Sequence, residues 1–178
     1  MSTRSVVAKP NGDGFIGRYC HWDGYPSCRG QQIWQTYQEL GNAEAVREYA
    51  LKPDSGGGSW SSYCPPSEVE KRESEKPEYR NDSNETWNTH TQNGDWWIDS
   101  NADDCGTEWA YVIGDNHLSV FERRYGKPGQ DEGHGTGMFG MGASDTDSGG
   151  YWGLVGVYSW TGSEPDWNKV EQGVKVGV

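Results

Sequence analysis

The chain is poor in apolar residues, in positive charge and in long hydrophobic runs. Only 32% of its 178 residues are hydrophobic, and 15 Lys and Arg stand against 27 Asp and Glu, which gives a net charge of −12. Such an acidic surface repels phosphate backbones and argues against direct nucleic-acid binding. No segment approaches the ~20 apolar residues of a membrane helix, and the start of the sequence has no signal-peptide core. We therefore expect a cytoplasmic protein without a membrane interaction.

The sequence also lacks the common signatures of metal sites and catalysis. Its four cysteines are Cys20, Cys28, Cys64 and Cys105, and no two of them form a CxxC pair. This spacing indicates neither a zinc ribbon nor a disulfide framework, and cytoplasmic thiols stay reduced. The motifs G-x-S-x-G, H-E-x-x-H and the P-loop do not occur either. We predict no metal and no cofactor, and the sequence identifies no catalytic residue.

Aromatic residues and glycine are abundant. The chain has 10 Trp, 10 Tyr and 26 Gly but only 3 Phe. Trp and Tyr favour sheets, and their polar edges need hydrogen-bond partners when they are buried. The length predicts one domain over residues 1–178.

Local patterns predict the elements of this domain. The turn at Pro10–Gly14 joins two strands, one over Ser5–Ala8 and one over Phe15–Trp22, because Asn-Gly and Asp-Gly supply the positive φ angles of a hairpin. Pro26 and Ser27 begin a helix that Gly41 ends, and Asn42 caps a second helix that runs to about Leu51.

The second half predicts another hairpin between two loops. Residues from about 54 to 104 form a long acidic loop region, and residues from about 126 to 150 form a glycine-rich loop. Between them lie a strand at Glu108–Ile113 and a strand at Leu118–Arg124, and a further strand follows at Tyr151–Trp160. Ser163 is expected to cap a short last helix. The predicted fold is α+β: an antiparallel β-sheet of two hairpins plus a further strand, with all helices on one face.

One segment, YCHWDGYPSCRG (residues 19–30), concentrates reactive side chains. Neighbouring residues of a strand point to opposite faces, so Cys20 and His21 cannot share a metal ion without a bulge. Asp23 and Gly24 are interpreted as a turn, and Ser27 as a possible helix cap. A cysteine nucleophile with a histidine base stays open, and the sequence does not choose among the pairings of Cys20 or Cys28 with His21, His90, His117 or His134.

Aromatic and arginine side chains suggest a binding platform, because Trp, Tyr and Arg dominate binding hot spots. An alternative also stays open: Trp22 and Trp109 are core residues, since so large an apolar side chain is seldom exposed. Met138 and Phe139 in the glycine-rich loop are a second candidate contact patch. The candidate ligand- or partner-binding residues are Arg4, Arg18, His21, Trp22, Asp23, Tyr25, Trp109, Met138 and Phe139.

Three blocks of the sequence resemble a family of small, uncharacterised proteins of actinobacterial phages. The blocks are TRSVVAKPNGDGFIGRYCHWDGYPSCRG, the later EWAYVI and the closing PDWNKVE. The resemblance covers about the first forty residues and the two shorter blocks. It implies a phage source, and with it the cytoplasm of an infected bacterial host, but no fold, activity or site residue.

Three functions from different classes follow from these observations. The first is a non-enzymatic binding protein that modulates a host factor, in host takeover or anti-defence. The second is a module that sequesters a small signalling nucleotide, with the HWDGYP aromatics stacking on the base and Arg4 or Arg18 on phosphate. The third is a small hydrolase in which His21 and Asp23 supply acid–base chemistry. A structural role in the virion is a fourth possibility, and the oligomeric state is not predicted.

Overall fold

The chain folds as an α+β domain around one mixed β-sheet. The structure is a computed structural model that describes residues 3–20, 22–51, 65–75, 97–98, 106–124 and 151–173. Six strands form the sheet in the order β3-β2-β1-β4-β5-β6. They are β1 (Ser5–Asn11), β2 (Gly14–Cys20), β3 (Trp97–Ile98), β4 (Trp109–Ile113), β5 (His117–Arg124) and β6 (Tyr151–Ser159). The helices are α1 (Gln31–Leu40), α2 (Ala43–Leu51), α3 (Pro66–Glu75) and α4 (Trp167–Glu171).

The two predicted hairpins and the further strand are confirmed. Strands β1 and β2 pair antiparallel from Ser5 opposite Cys20 to Asn11 opposite Gly14. Gly12 takes a φ of 59° in the turn between them. Strands β4 and β5 form the second hairpin, and β6 pairs antiparallel with β5.

The sheet is mixed rather than wholly antiparallel, which corrects the prediction in one respect. Strand β1 runs parallel to β4, with Ser5 opposite Trp109 and Val7 opposite Tyr111. A tight turn fixes the antiparallel pairing inside each hairpin, but nothing in the turn residues fixes how one hairpin lies against the other. The parallel pair is possible because a long connection that includes α1, α2 and α3 separates the two hairpins.

The first two helices form where their caps predict. Helix α1 ends at Gly41, whose φ of 77° is a left-handed conformation suited to glycine. The amide oxygen of Asn42 accepts a hydrogen bond from the backbone N–H of Ala45 at 2.8 Å, which caps α2. A π-helical turn at Pro26–Gly30 precedes α1, so the regular helix begins later than Pro26.

Two other predictions need correction. The region 54–104 was expected to be loop, yet it contains α3 and the short β3. Helix α3 begins at Pro66, and its sequence is rich in Glu, Lys and Arg, which have high helix propensity. It has no apolar stripe, so the hydrophobic pattern of the sequence does not predict it. The last helix, α4, is capped by Asp166 rather than Ser163, because the Asp166 side chain accepts from the N–H of Lys169 at 3.3 Å.

The sheet has two faces, and both are apolar. On the first, here called the helical face, strand residues such as Val7, Tyr111 and Ile113 pack with Ile33 and Trp34 of α1. Residues of α2 and α4 complete that cluster: Ala43, Val46, Ala50, Leu51, Trp167 and Val170. The second face has a smaller cluster made entirely of strand residues: Val6, Ala8, Phe15, Ala110, Val112, Phe121 and Trp152. Within the described residues, no helix has the length and apolar character to cross a membrane.

Candidate functional site

The candidate site is the segment Trp22–Gly30, here called the junction, which connects β2 to α1. Its turn is built by Asp23 and Gly24. Asp23 has a φ of 51°, a left-handed conformation that Asp and Asn tolerate better than most residues. A Cβ atom on Gly24 would lie 2.8 Å from Ser5 and from the carbonyl oxygen of Thr3, so this position has no room for a side chain. The Asp-Gly step thus has the left-handed backbone, at Asp23, on which the predicted turn depends.

A buried arginine holds the start of the junction. Arg29 is fully buried in the π-helical turn, and its Nη2 donates to the carbonyl oxygen of Trp22 at 2.9 Å. Its Nη1 donates to Oε1 of Gln32 at 2.9 Å, one turn further along. Hydrogen bonds from a charged donor are stronger than neutral ones, and they are stronger still where water is excluded. The backbone at Trp22 is therefore held from inside the protein.

A buried tyrosine holds the next carbonyl. Tyr111 of β4 has no exposed surface, and its hydroxyl donates to the carbonyl oxygen of Gly24 at 2.7 Å. Burial raises the pKa of Tyr111 well above its usual value, partly opposed by the positive charge of Arg29. The hydroxyl thus keeps its proton and remains a donor at every physiological pH. Two buried side chains fix two carbonyls of one turn.

The second half of the junction packs against α4. A Cβ atom on Gly30 would lie 2.7 Å from the Trp167 ring, so glycine allows the two segments to approach closely. Both the backbone N–H and the hydroxyl of Ser27 donate to Oε2 of Glu171. Ser27 therefore does not cap α1, as the sequence suggested, but links the junction to α4.

The side chains at the start of the junction face outward. Trp22 is 44% exposed, Asp23 is exposed, and Tyr25 is partly buried. Partial burial raises the pKa of Tyr25, and the negative charges of Asp23 and Glu171 add to the shift. The outer surface combines an exposed indole with negative charge.

The two described cysteines are poorly suited to nucleophilic catalysis. Cys20 is 1% exposed, and burial raises its pKa. Cys28 is partly buried, and burial raises its pKa more than the charge of Arg29 lowers it. The thiolate is the nucleophile, so a raised pKa leaves little of the reactive form at neutral pH. Cys64 and Cys105 lie outside the described residues.

The structure separates the other predicted site residues. Arg18 is 3% exposed, and its Nε donates to the carbonyl oxygen of Leu51 at 3.4 Å, beneath the end of α2. Trp109 is 6% exposed in the core of the helical face. β-strand alternation directs both side chains inward, whereas Trp22 lies beyond the end of β2, so the structure does not bring these three predicted residues together on one surface. Arg4 is partly buried, and its positive charge acts on Glu108. His21, Met138 and Phe139 lie outside the described residues.

Sequence reasoning missed the residues that organise the junction from inside. Arg29 and Tyr111 were not among the candidates, because their roles depend on contacts 7 and 87 residues away along the chain. The sequence offered one indication: Arg29 lies in an aromatic segment, and an arginine needs hydrogen-bond acceptors if it is buried.

The described part of the chain brings no three His, Cys, Asp or Glu side chains together in a way that would hold a metal ion. The site is thus defined by its exposed indole, its acidic groups and its anchored backbone. Comparison of the chain with protein-family models, with curated proteins and with solved structures finds no match.

Proposed function

We propose that the protein is a non-enzymatic binding protein that modulates a host protein, and that the outer side of the junction binds a basic segment of this partner. The observation that carries the proposal is Trp22, which is 44% exposed on a backbone that the buried Arg29 holds in place. An exposed tryptophan on a fixed backbone has the properties of an interface hot spot.

The anchored backbone supports binding because it lowers the entropy lost on association. The carbonyl oxygens of Trp22 and Gly24 are already bound by Arg29 and Tyr111. The turn therefore does not have to become ordered when a partner binds, and preorganisation of this kind raises affinity without any new contact.

Charge indicates the chemistry of the partner. Asp23 is exposed and follows Trp22 directly, Glu171 is hydrogen-bonded to Ser27 of the junction, and the whole chain has a net charge of −12. An arginine or lysine side chain can lie over the Trp22 indole and meet these carboxylates, which combines a cation–π contact with a charge interaction. The resemblance to phage proteins, together with this chemistry, leads us to propose a host protein as the partner, in host takeover or anti-defence.

The two alternatives have less support from the described residues. A nucleotide site would need an accessible cation for phosphate, and of the two arginines considered, Arg18 is buried beneath α2 while Arg4 is partly buried. A hydrolase would pair Asp23 with His21, which lies outside the described residues. Both remain hypotheses, and a thermal-shift screen with signalling nucleotides tests the first of them.

The test compares the wild-type chain with Trp22→Ala. Each is immobilised and exposed to lysate of an actinobacterial host, the captured proteins are identified by mass spectrometry, and the main one is purified for calorimetric titration. We expect Trp22→Ala to weaken binding about 30-fold, since truncating a hot-spot residue costs about 2 kcal/mol. Asp23→Asn is expected to weaken it less, and the loss should shrink at high salt.

Leu154→Ala is the matched control, because Leu154 is 51% exposed and lies in β6, outside the junction. This variant should bind the partner as the wild type does. Equal binding by the wild type and Trp22→Ala would contradict the proposal. Stabilisation by a nucleotide that Trp22→Ala abolishes would favour the nucleotide hypothesis in its place.

A further inference from the structure

Strand β6 is a second surface that is suited to binding. It is nine residues long and is the last strand in the sheet order, paired with β5 on its inner side. In the part of the chain that the structure describes, no strand pairs with its outer edge. The N–H and C=O groups along such an edge are a template for a further strand.

The sequence of β6 does little to prevent this pairing. Natural edge strands are usually kept apart by charged side chains, by proline, by shortness or by a bulge. The segment YWGLVGVYS has no charged residue and no proline, although 24% of the chain is charged. A register shift between Val120 and Phe121 leaves Val155 without a Cα partner in β5, so β6 contains one bulge. The edge is therefore long and uncharged.

Exposed apolar side chains adjoin the edge. The described residues include three exposed large hydrophobic side chains, and two of them, Leu154 (51%) and Val157 (41%), lie in β6. The register places Leu154 opposite Phe121 and Val157 opposite Ser119, so both belong to the second face of the sheet. Burial of these two side chains would remove apolar surface from water, and this would stabilise a new strand pair in addition to its backbone hydrogen bonds.

Among the described residues, opposite charges lie near the two ends of β6. Arg123 and Arg124 pair with Trp152 and Tyr151 at its start, and with Glu122 they carry a net charge of +1. After its end come Glu164, Asp166, Lys169 and Glu171, with a net charge of −2. In an antiparallel pair of two identical β6 strands, the basic end of each copy lies beside the acidic end of the other. A parallel pair would place like charges together.

We propose that two copies of this chain associate through β6, with the two strands antiparallel about a two-fold axis between Val155 and Gly156, so that Leu154 of one copy lies opposite Val157 of the other. The two sheets then join edge to edge into one continuous sheet. The interface is isologous, as expected for a two-fold dimer, and each copy contributes the same uncharged strand. Leu154 and Val157 of the two copies form its apolar centre.

The test measures the self-association of the full chain by sedimentation equilibrium over a range of protein concentrations. We expect a monomer–dimer equilibrium that Leu154→Lys and Val157→Lys each weaken by about tenfold or more, because each places like charges at the centre of the strand pair. Trp22→Lys is the matched control, because it also replaces an exposed hydrophobic residue by lysine, but in the junction. This variant should dimerise as the wild type does.

A charge exchange tests the orientation of the strands. Arg124→Glu and Glu164→Arg are each expected to weaken the dimer, and the double variant is expected to recover part of the loss. Circular dichroism shows whether each variant remains folded. A chain that is monomeric at every concentration overturns the proposal. So does a dimer that neither lysine substitution in β6 weakens, or one that Trp22→Lys dissociates equally. A double variant weaker than both single variants overturns the antiparallel orientation.

Discussion

The two faces of the sheet differ in how polar groups take part in their cores. Among the described residues, the cluster of the helical face has 16 buried members, and three buried donors lie beside them: Arg29, the Tyr111 hydroxyl and the Trp160 indole, which donates to the carbonyl of Gly114 at 3.0 Å. The cluster of the second face has five buried described members, all apolar, and the buried polar residue on that face is the small Ser119. Directional hydrogen bonds fix geometry, whereas apolar contacts are non-directional. The helical face thus determines where the junction lies.

Arg29→Ala is expected to lower the stability of the helical face more than any other substitution considered below. It removes the donors to Trp22 and Gln32, leaves a cavity beside the π-helical turn, and should lower the free energy of unfolding by about 3 kcal/mol. Urea unfolding measures the loss. Arg29→Lys keeps the charge without the two-armed geometry, so an intermediate loss is expected. If Arg29→Ala unfolded like the wild type, the hydrogen bonds of Arg29 would contribute nothing to the stability of the helical face.

Val7→Ala and Val6→Ala compare the faces directly. These neighbours in β1 are 1% and 0% exposed and belong to the clusters of opposite faces. Each substitution removes the same atoms and should cost about 2 kcal/mol, from lost burial and a residual cavity. We expect the larger cost for Val7→Ala, because packed helices hold the cavity open on the helical face. Urea unfolding of both variants measures the difference, and a larger cost for Val6→Ala would reverse the comparison.

Sequence patterns predicted most of the elements, because their causes are local. The Asn-Gly and Asp-Gly steps specify the first hairpin, Gly41 ends α1, and Asn42 caps α2. Alternation along β2 also separates its faces correctly: Phe15 joins the second cluster, while Cys20 joins the helical one. Each of these features is determined within a few residues of the chain.

Features that depend on distant contacts could not be predicted in this way. The parallel pairing of β1 with β4 joins segments about one hundred residues apart, and no turn encodes it. Trp22 is exposed and Trp109 is buried, although both are tryptophans. Residue type therefore does not distinguish them, and the difference depends on where each indole lies relative to the helices. Of the candidate site, the sequence indicated the Trp22–Tyr25 segment, and its role in binding stays a prediction. Its internal supports, Arg29 and Tyr111, required the fold.

Tyr111→Phe tests the smallest of the polar contributions to the helical face. The change removes one hydroxyl and leaves the Gly24 carbonyl without its buried donor, so the free energy of unfolding should fall by about 1.5 kcal/mol. Tyr158→Phe is the matched control: Tyr158 packs against Trp167 on the same face, and its hydroxyl forms no hydrogen bond within the described residues. We expect it to change the stability by less than about 0.5 kcal/mol. Urea unfolding compares the two variants, and equal losses would show that ring packing, rather than the hydrogen bond to Gly24, holds the junction on this face.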